Sequence, residues 1–256
     1  QQGRREAQKL LERNAQDGDR LLGAFNRPMP HWLDFFCYTM FVDRDGKFQL
    51  GMLSTSAFKP LAASMGPMLK EESFHLGTGS NGLRRVIKAG VIPLDMLQRF
   101  FNKWVSTAHD LFGVDASSSA HWSYVWGVKG RWDERKKLDA GIEVDKEVLN
   151  EEARGHYHTE IVGEVGKLNG YLPEGSAPLI VPHENFNRDI GAFKRQRFTI
   201  EGVAFEGSDE EWDAYMQAAL PSAADEELLK ELFKQEWVAN KPMSARQIAS
   251  GIGAKV

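Results

Sequence analysis

Glu72 and His75 stand three residues apart in the run KEESFHLGTG. On a helix that spacing puts a carboxylate and an imidazole on one face, about one turn apart. Hard oxygen and imidazole donors projecting inward from several helices are how a four-helix bundle grips iron or manganese. One pair is a weak signal, since charged helices carry it by chance. Its weight depends on whether other helices supply further donors.

The stripe around the pair gives the first support. Met65, Met68, Leu69, Glu72, His75 and Leu76 share one side, whereas Lys70 and Glu71 fall on other faces. A carboxylate inside an apolar stripe is costly unless paired or metal-bound. Asp43 shares a stripe with Phe36, Thr39, Met40 and Leu50; the alternative is a turn at 43–46 between two shorter helices. Asp45 and Gln49 are weaker substitutes on other faces. Asp110 follows His109 near a helix C-terminus, where the dipole disfavours a carboxylate unless a metal ion or water offsets it. Glu152, His156 and Glu160 recur at i, i+4, with Ala153 and Gly163 leaving room beside them. A surface salt-bridge ladder with Arg154 and His158 nearby is the alternative there. Thr39 and Thr159 either hydrogen-bond near a reacting oxygen or satisfy their own helix backbone.

The elements that must position these groups are mostly helical. Residues 4–25 read as a charged amphipathic helix, and 32–53 as an aromatic-rich one interrupted by Asp43, Arg44 and Asp45. Pro60 opens a third helix. Gly66 and Pro67 kink or restart it, and Gly77 and Gly79 end it before a further stretch over 81–88. Pro93 opens a helix to Phe112, Ser117 to Ser119 cap another, and a long one runs from about 145 to 169. The region 171–207 is irregular, with short strands expected near 179–181 and 198–205. Ser208 caps a helix from Glu210, and 225–237 forms the next. The expected fold is all-α: a ferritin-like helical bundle over 1–170 and an irregular, partly helical extension over 171–256 packed on it.

Composition narrows the function classes. Of 256 residues, 42% are hydrophobic and 27% charged, ordinary for a soluble globular protein. The net charge of −4 gives no general nucleic-acid footprint. No apolar run is long enough to cross a bilayer. Cys37 is the only cysteine, so intrachain disulfides and thiolate clusters are excluded, which fits a cytoplasmic location. The chain opens Gln-Gln-Gly without a Met and reads as part of a longer polypeptide.

Several runs carry a resemblance. DFFCYTMFVDRDGKFQL (34–50), MLKEESFHLGTG (68–79) and KAGVIP (88–93) resemble the oxygenase components of the benzoyl-CoA 2,3-epoxidases. DLFGVDASS, VGKLN and VPHENFNRDIGAF follow in the same order. That family is similar to the phenylacetyl-CoA epoxidases and belongs with the ferritin-like di-iron proteins. The resemblance implies two iron ions and O2 as co-substrate. It also implies insertion of one oxygen atom into the ring of an aromatic acyl-CoA, with electrons from NADPH through a separate flavin and iron–sulfur reductase.

Residue by residue, the resemblance implies Glu72 and His75 as iron ligands and favours Asp43 and Asp110. His156 and Glu160 complete the set, although RGHYHTEIVGEVGKLN has histidines where the family has acidic residues, and Glu152 is an alternative to either. HYHTEIVG is closer to the phenylacetyl-CoA enzymes. A cationic mouth for CoA is expected at Arg84, Arg85 and Lys88, or at Lys129, Arg131, Arg135, Lys136 and Lys137. Another oxidation on the same scaffold, or a non-catalytic iron-binding relative, is the alternative function. The oligomer is either monomer or homodimer.

Overall fold

In the computed structural model, residues 4, 5, 8, 23–143, 145 and 147–234 are described. The helix expected over 4–25 lies largely outside them, as does the end of the chain. The chain divides into two units, Gln1–Pro221 and Ser222–Val256. No named strand forms among the described residues, so the all-α expectation holds.

The centre of the first unit is α1, Trp32–Leu53. It is buried on most of its circumference and packs against α2 (Lys59–Ala89), α3 (Leu94–Leu111) and α6 (Asn150–Asn169). Its first turn carries Asp34, buried but accepting hydrogen bonds from Lys103 Nζ at 2.7 Å and Trp104 Nε1 at 2.9 Å. Edge-on ring pairs lock α1 to α3: Phe41 on Phe101 at 4.9 Å and Tyr38 on Trp104 at 5.3 Å. Such contacts add to the area that the rings bury.

α1 and α2 form an antiparallel hairpin with a close approach. A Cβ added to Gly79 would meet the Met40 backbone nitrogen at 2.5 Å, and one on Gly82 would meet the Phe36 ring at 2.3 Å. Here the sequence reading needs correcting. Gly77 and Gly79 do not end the helix, and α2 runs unbroken for 31 residues with Pro67 inside it. Gly79 and Gly82 are packing glycines: without a side chain they let the two backbones meet. The helix ends at Gly90, in the left-handed conformation at φ 64° that favours glycine.

Two further expectations are corrected. α6 begins at Asn150, not near 145. The Asp115 carboxylate accepts the Asn150 and Glu151 amides at 2.8 and 2.9 Å, capping the helix from outside its own sequence. The strand expected near 179–181 does not form, because side-chain amides take the place of a neighbouring strand. Asn169 pairs with both backbone groups of Leu179, and Gln98 with both of Ile180. At 198–205 only one antiparallel bridge forms, Phe198 with Ala204, closed by a tight turn at Gly202.

The short helices α4 (Ser118–Val125) and α5 (Glu134–Asp139) connect α3 to α6. Ser117 caps α4, as expected. α7 (Asp209–Ala219) carries a full capping box between Ser208 and Glu211. In the second unit, α8 (Ala223–Phe233) is capped likewise by Ser222 and Asp225. No helix among the described residues is long and apolar enough to cross a membrane.

Candidate metal centre

The α1–α2 register brings Asp43, Glu72 and His75 together. Stepping back along α1 from Gly46 to Asp43, Thr39 and Phe36 meets Glu72, His75, Gly79 and Gly82 in turn along α2. His75 Nδ1 lies 3.6 Å from Asp43 Oδ2 and 3.6 Å from Glu72 Oε2. One donor atom from each residue falls within 4.8 Å of the others. The side chains of Asp43 and Glu72 are 17% and 20% exposed, against 54% for His75, so the cluster opens to solvent on the imidazole side.

The chemistry of these donors fits a hard or borderline cation such as ferrous iron. Glu72 Oε2 is buried and has no hydrogen-bond partner. A lone buried carboxylate oxygen is costly unless something positive meets it. Among the described residues neither Asp43 nor Glu72 pairs with a Lys or Arg. Burial pushes the Glu72 carboxyl up and the Asp43 charge adds to this, while His75 opposes. Asp43 is raised by burial and lowered by His75. Gly46 supplies clearance: a Cβ there would sit 3.0 Å from Glu72 Oε1. Tyr38 stays protonated nearby, pushed up to about 12 by burial and then by the Asp43 and Glu72 charges.

The other expected ligands lie in different company. Asp110 accepts Arg188 Nε at 2.6 Å and the Asp189 amide at 2.9 Å. The cost of a carboxylate at the C-terminus of α3 is thus offset by a guanidinium from the later chain. Glu160 is held by Arg44 and by Lys47 Nζ at 2.6 Å, both from α1. Burial raises its carboxyl, but those two cations bring it below the usual range.

His156 Nε2 faces Glu152 at 3.4 Å. With Asp133 these form a second tight group of ligand-type residues. That group is already neutralised: Arg131 binds Asp133 at 2.5 Å and Glu152 at 2.9 Å, and Lys137 binds the same two at 2.5 and 3.2 Å. The structure therefore joins Asp43, Glu72 and His75, and does not bring Asp110, His156 or Glu160 to them.

The threonines satisfy their own helices: Thr39 donates to Phe35 O at 3.0 Å and Thr159 to Gly155 O at 3.0 Å. Asp45 is buried and pushed up to about 7 by burial, with Gln49 and then Lys129 pulling it back. Of the cations expected at a CoA mouth there, Lys129 is bound by Gln49 and Asn150, and Arg131 and Lys137 by carboxylates. His158 Nδ1 meets the buried His109 Nε2 at 3.3 Å.

What sequence reasoning missed is chiefly Arg44, Lys47 and Arg188, the cations on the expected ligands. A charged residue on a buried helix was the visible signal at Arg44; the identity of its partner was not.

The family described as phenylacetic acid catabolic protein matches residues 1–177 of this chain. A protein of Aromatoleum evansii named benzoyl-CoA oxygenase component B is 35% identical over 266 aligned residues. The alignment covers 87% of this chain and 56% of that relative, so the chain spans little more than half the relative's length.

Proposed function

This chain belongs to the phenylacetic acid catabolic protein family, whose fold is a ferritin-like bundle, and on that premise we propose that it is the iron-binding chain of an aromatic acyl-CoA oxygenase. The reaction is insertion of one O2-derived oxygen atom into the ring of a benzoyl-CoA-type thioester, giving an arene epoxide. The other oxygen atom leaves as water, which takes two electrons and two protons. The single observation that carries this reading is the buried, unpartnered Glu72 oxygen facing Asp43 and His75.

Asp43 and Glu72 would hold the iron through carboxylate oxygens and His75 through its imidazole. Bound iron supplies the redox chemistry by which O2 is activated. Gly46 keeps the Glu72 carboxylate free to turn, because no side chain fills the space beside it. The Tyr38 phenol retains its proton beside the carboxylates. Arg84, Arg85 and Lys88, on the same helix as Glu72, offer positive charge to the CoA phosphates, and Lys88 lies over the Tyr171 ring at 4.6 Å. Electrons come from a separate NADPH-dependent reductase. The relative's name, component B, supports a multi-part system.

The test is product analysis under isotopically labelled O2. Iron-loaded protein with a competent reductase and benzoyl-CoA is expected to give a product carrying one labelled oxygen on the ring. Iron-bound, folded protein that leaves benzoyl-CoA and phenylacetyl-CoA unlabelled would overturn the substrate assignment.

A further inference from the structure

α1 divides its polar residues between two neighbours. Asp43 and Gly46 face α2, whereas Arg44 and Lys47, each one position further on, reach α6 and hold Glu160. Arg44 is buried and pinned, since its Nε also donates to Met40 O at 3.1 Å. Each Glu160 oxygen has its own cation: Oε1 takes Arg44 and Oε2 takes Lys47. A carboxylate so neutralised offers little to a divalent ion, and two fixed positive charges repel one brought beside them. Asp110 is closed in the same way, one oxygen on Arg188 and the other on a backbone amide. His156 faces a glutamate already bound by Arg131 and Lys137.

We infer that this chain takes a single iron ion, at Asp43, Glu72 and His75, and that Arg44 and Lys47 bring to Glu160 the positive charge a second ion would otherwise supply. The inference rests on the reading of that cluster as an iron site, and it departs from the two-ion centre that the family resemblance implies.

The whole chain is loaded with ferrous iron under anaerobic conditions, freed of excess, and assayed for iron per chain. Electron paramagnetic resonance and Mössbauer spectra follow oxidation. The expected result is about one iron per chain with a high-spin ferric signal, unchanged in Glu160→Gln. Should that variant not fold, Asp110→Asn is expected to keep the same iron. A coupled, resonance-silent pair at two irons per chain overturns the inference while leaving iron binding intact. So does loss of iron in either folded variant. Wild-type protein that retains no iron overturns both this inference and the assignment of the centre.

Discussion

Gly46 faces Glu72 across the α1–α2 seam, so closely that a Cβ on Gly46 would stand 3.0 Å from Glu72 Oε1. The helix gives up backbone stability at that glycine, and the carboxylate gains the space to orient. Gly46→Ala separates the two effects. Replacing a mid-helix Gly by Ala favours the helix by up to about 1 kcal/mol. Crowding a ligand's surroundings lowers metal affinity by roughly 10-fold or more. The expected outcome is weaker ferrous binding by titration, with a melting temperature equal to or above that of the wild type.

Gly79→Val acts differently. Its Cβ would land 2.5 Å from the Met40 backbone nitrogen, which cannot move aside as a side-chain tip can. Overpacking of this kind costs about 1–3 kcal/mol. Because the same seam sets the Asp43–His75 distance, the variant is expected to lose stability and iron affinity together. Urea unfolding and iron titration on one preparation measure both.

Removing Glu160 strands a buried cation. In Glu160→Ala, Arg44, whose side chain is 6% exposed, loses its carboxylate, and breaking a buried pair costs about 3 kcal/mol at the low end of the range. Lys47→Ala breaks the more exposed half and is expected to cost less than about 1 kcal/mol. Equal losses in the two variants by urea unfolding would contradict the burial argument.

His109 links stability to pH. Burial, and then the Arg188 charge, holds its imidazole well below the usual histidine range, and its Nδ1 has no hydrogen-bond partner. His158, Arg154 and His183 add to the same shift. The unfolded chain therefore takes up a proton near pH 6.5 while the folded one does not. Stability from this group is complete above about pH 6.5 and falls as pH drops below it, with a slope approaching about 1.4 kcal/mol per pH unit. Unfolding free energies between pH 5 and pH 7 should show this slope, and His109→Gln should flatten it.

The apolar helices with clear breaks were legible in the sequence. α1 is a long aromatic-rich run entered after Pro28 and Pro30, α3 is a long apolar stripe opened by Pro93 and followed by Gly113, and Glu72 and His75 declared themselves by sitting inside an apolar stripe of α2. α2 was not legible as one helix, because a glycine that permits close packing has the same symbol as one that stops a helix. Asp110 and Glu160 were legible as candidate ligands, with exposure to water and a salt-bridge ladder as their alternatives, but their actual ion-pair partners were not legible. Arg188 lies far along the chain from Asp110, and Arg44 from Glu160, so only the tertiary fold pairs them. The start of α6 was misjudged for the same reason, its cap being supplied by Asp115.

Iron retained after anaerobic loading and desalting, compared between wild type and Glu72→Gln, bears most directly on the centre. Glutamine keeps the shape of the side chain and removes a carboxylate charge that no Lys or Arg among the described residues meets. The wild type is expected to hold iron, and the folded variant to lose it by roughly 100-fold in affinity, at the upper end of what disturbing a metal site does. A folded Glu72→Gln protein that retains as much iron as the wild type would contradict the assignment of Asp43, Glu72 and His75 as the metal centre.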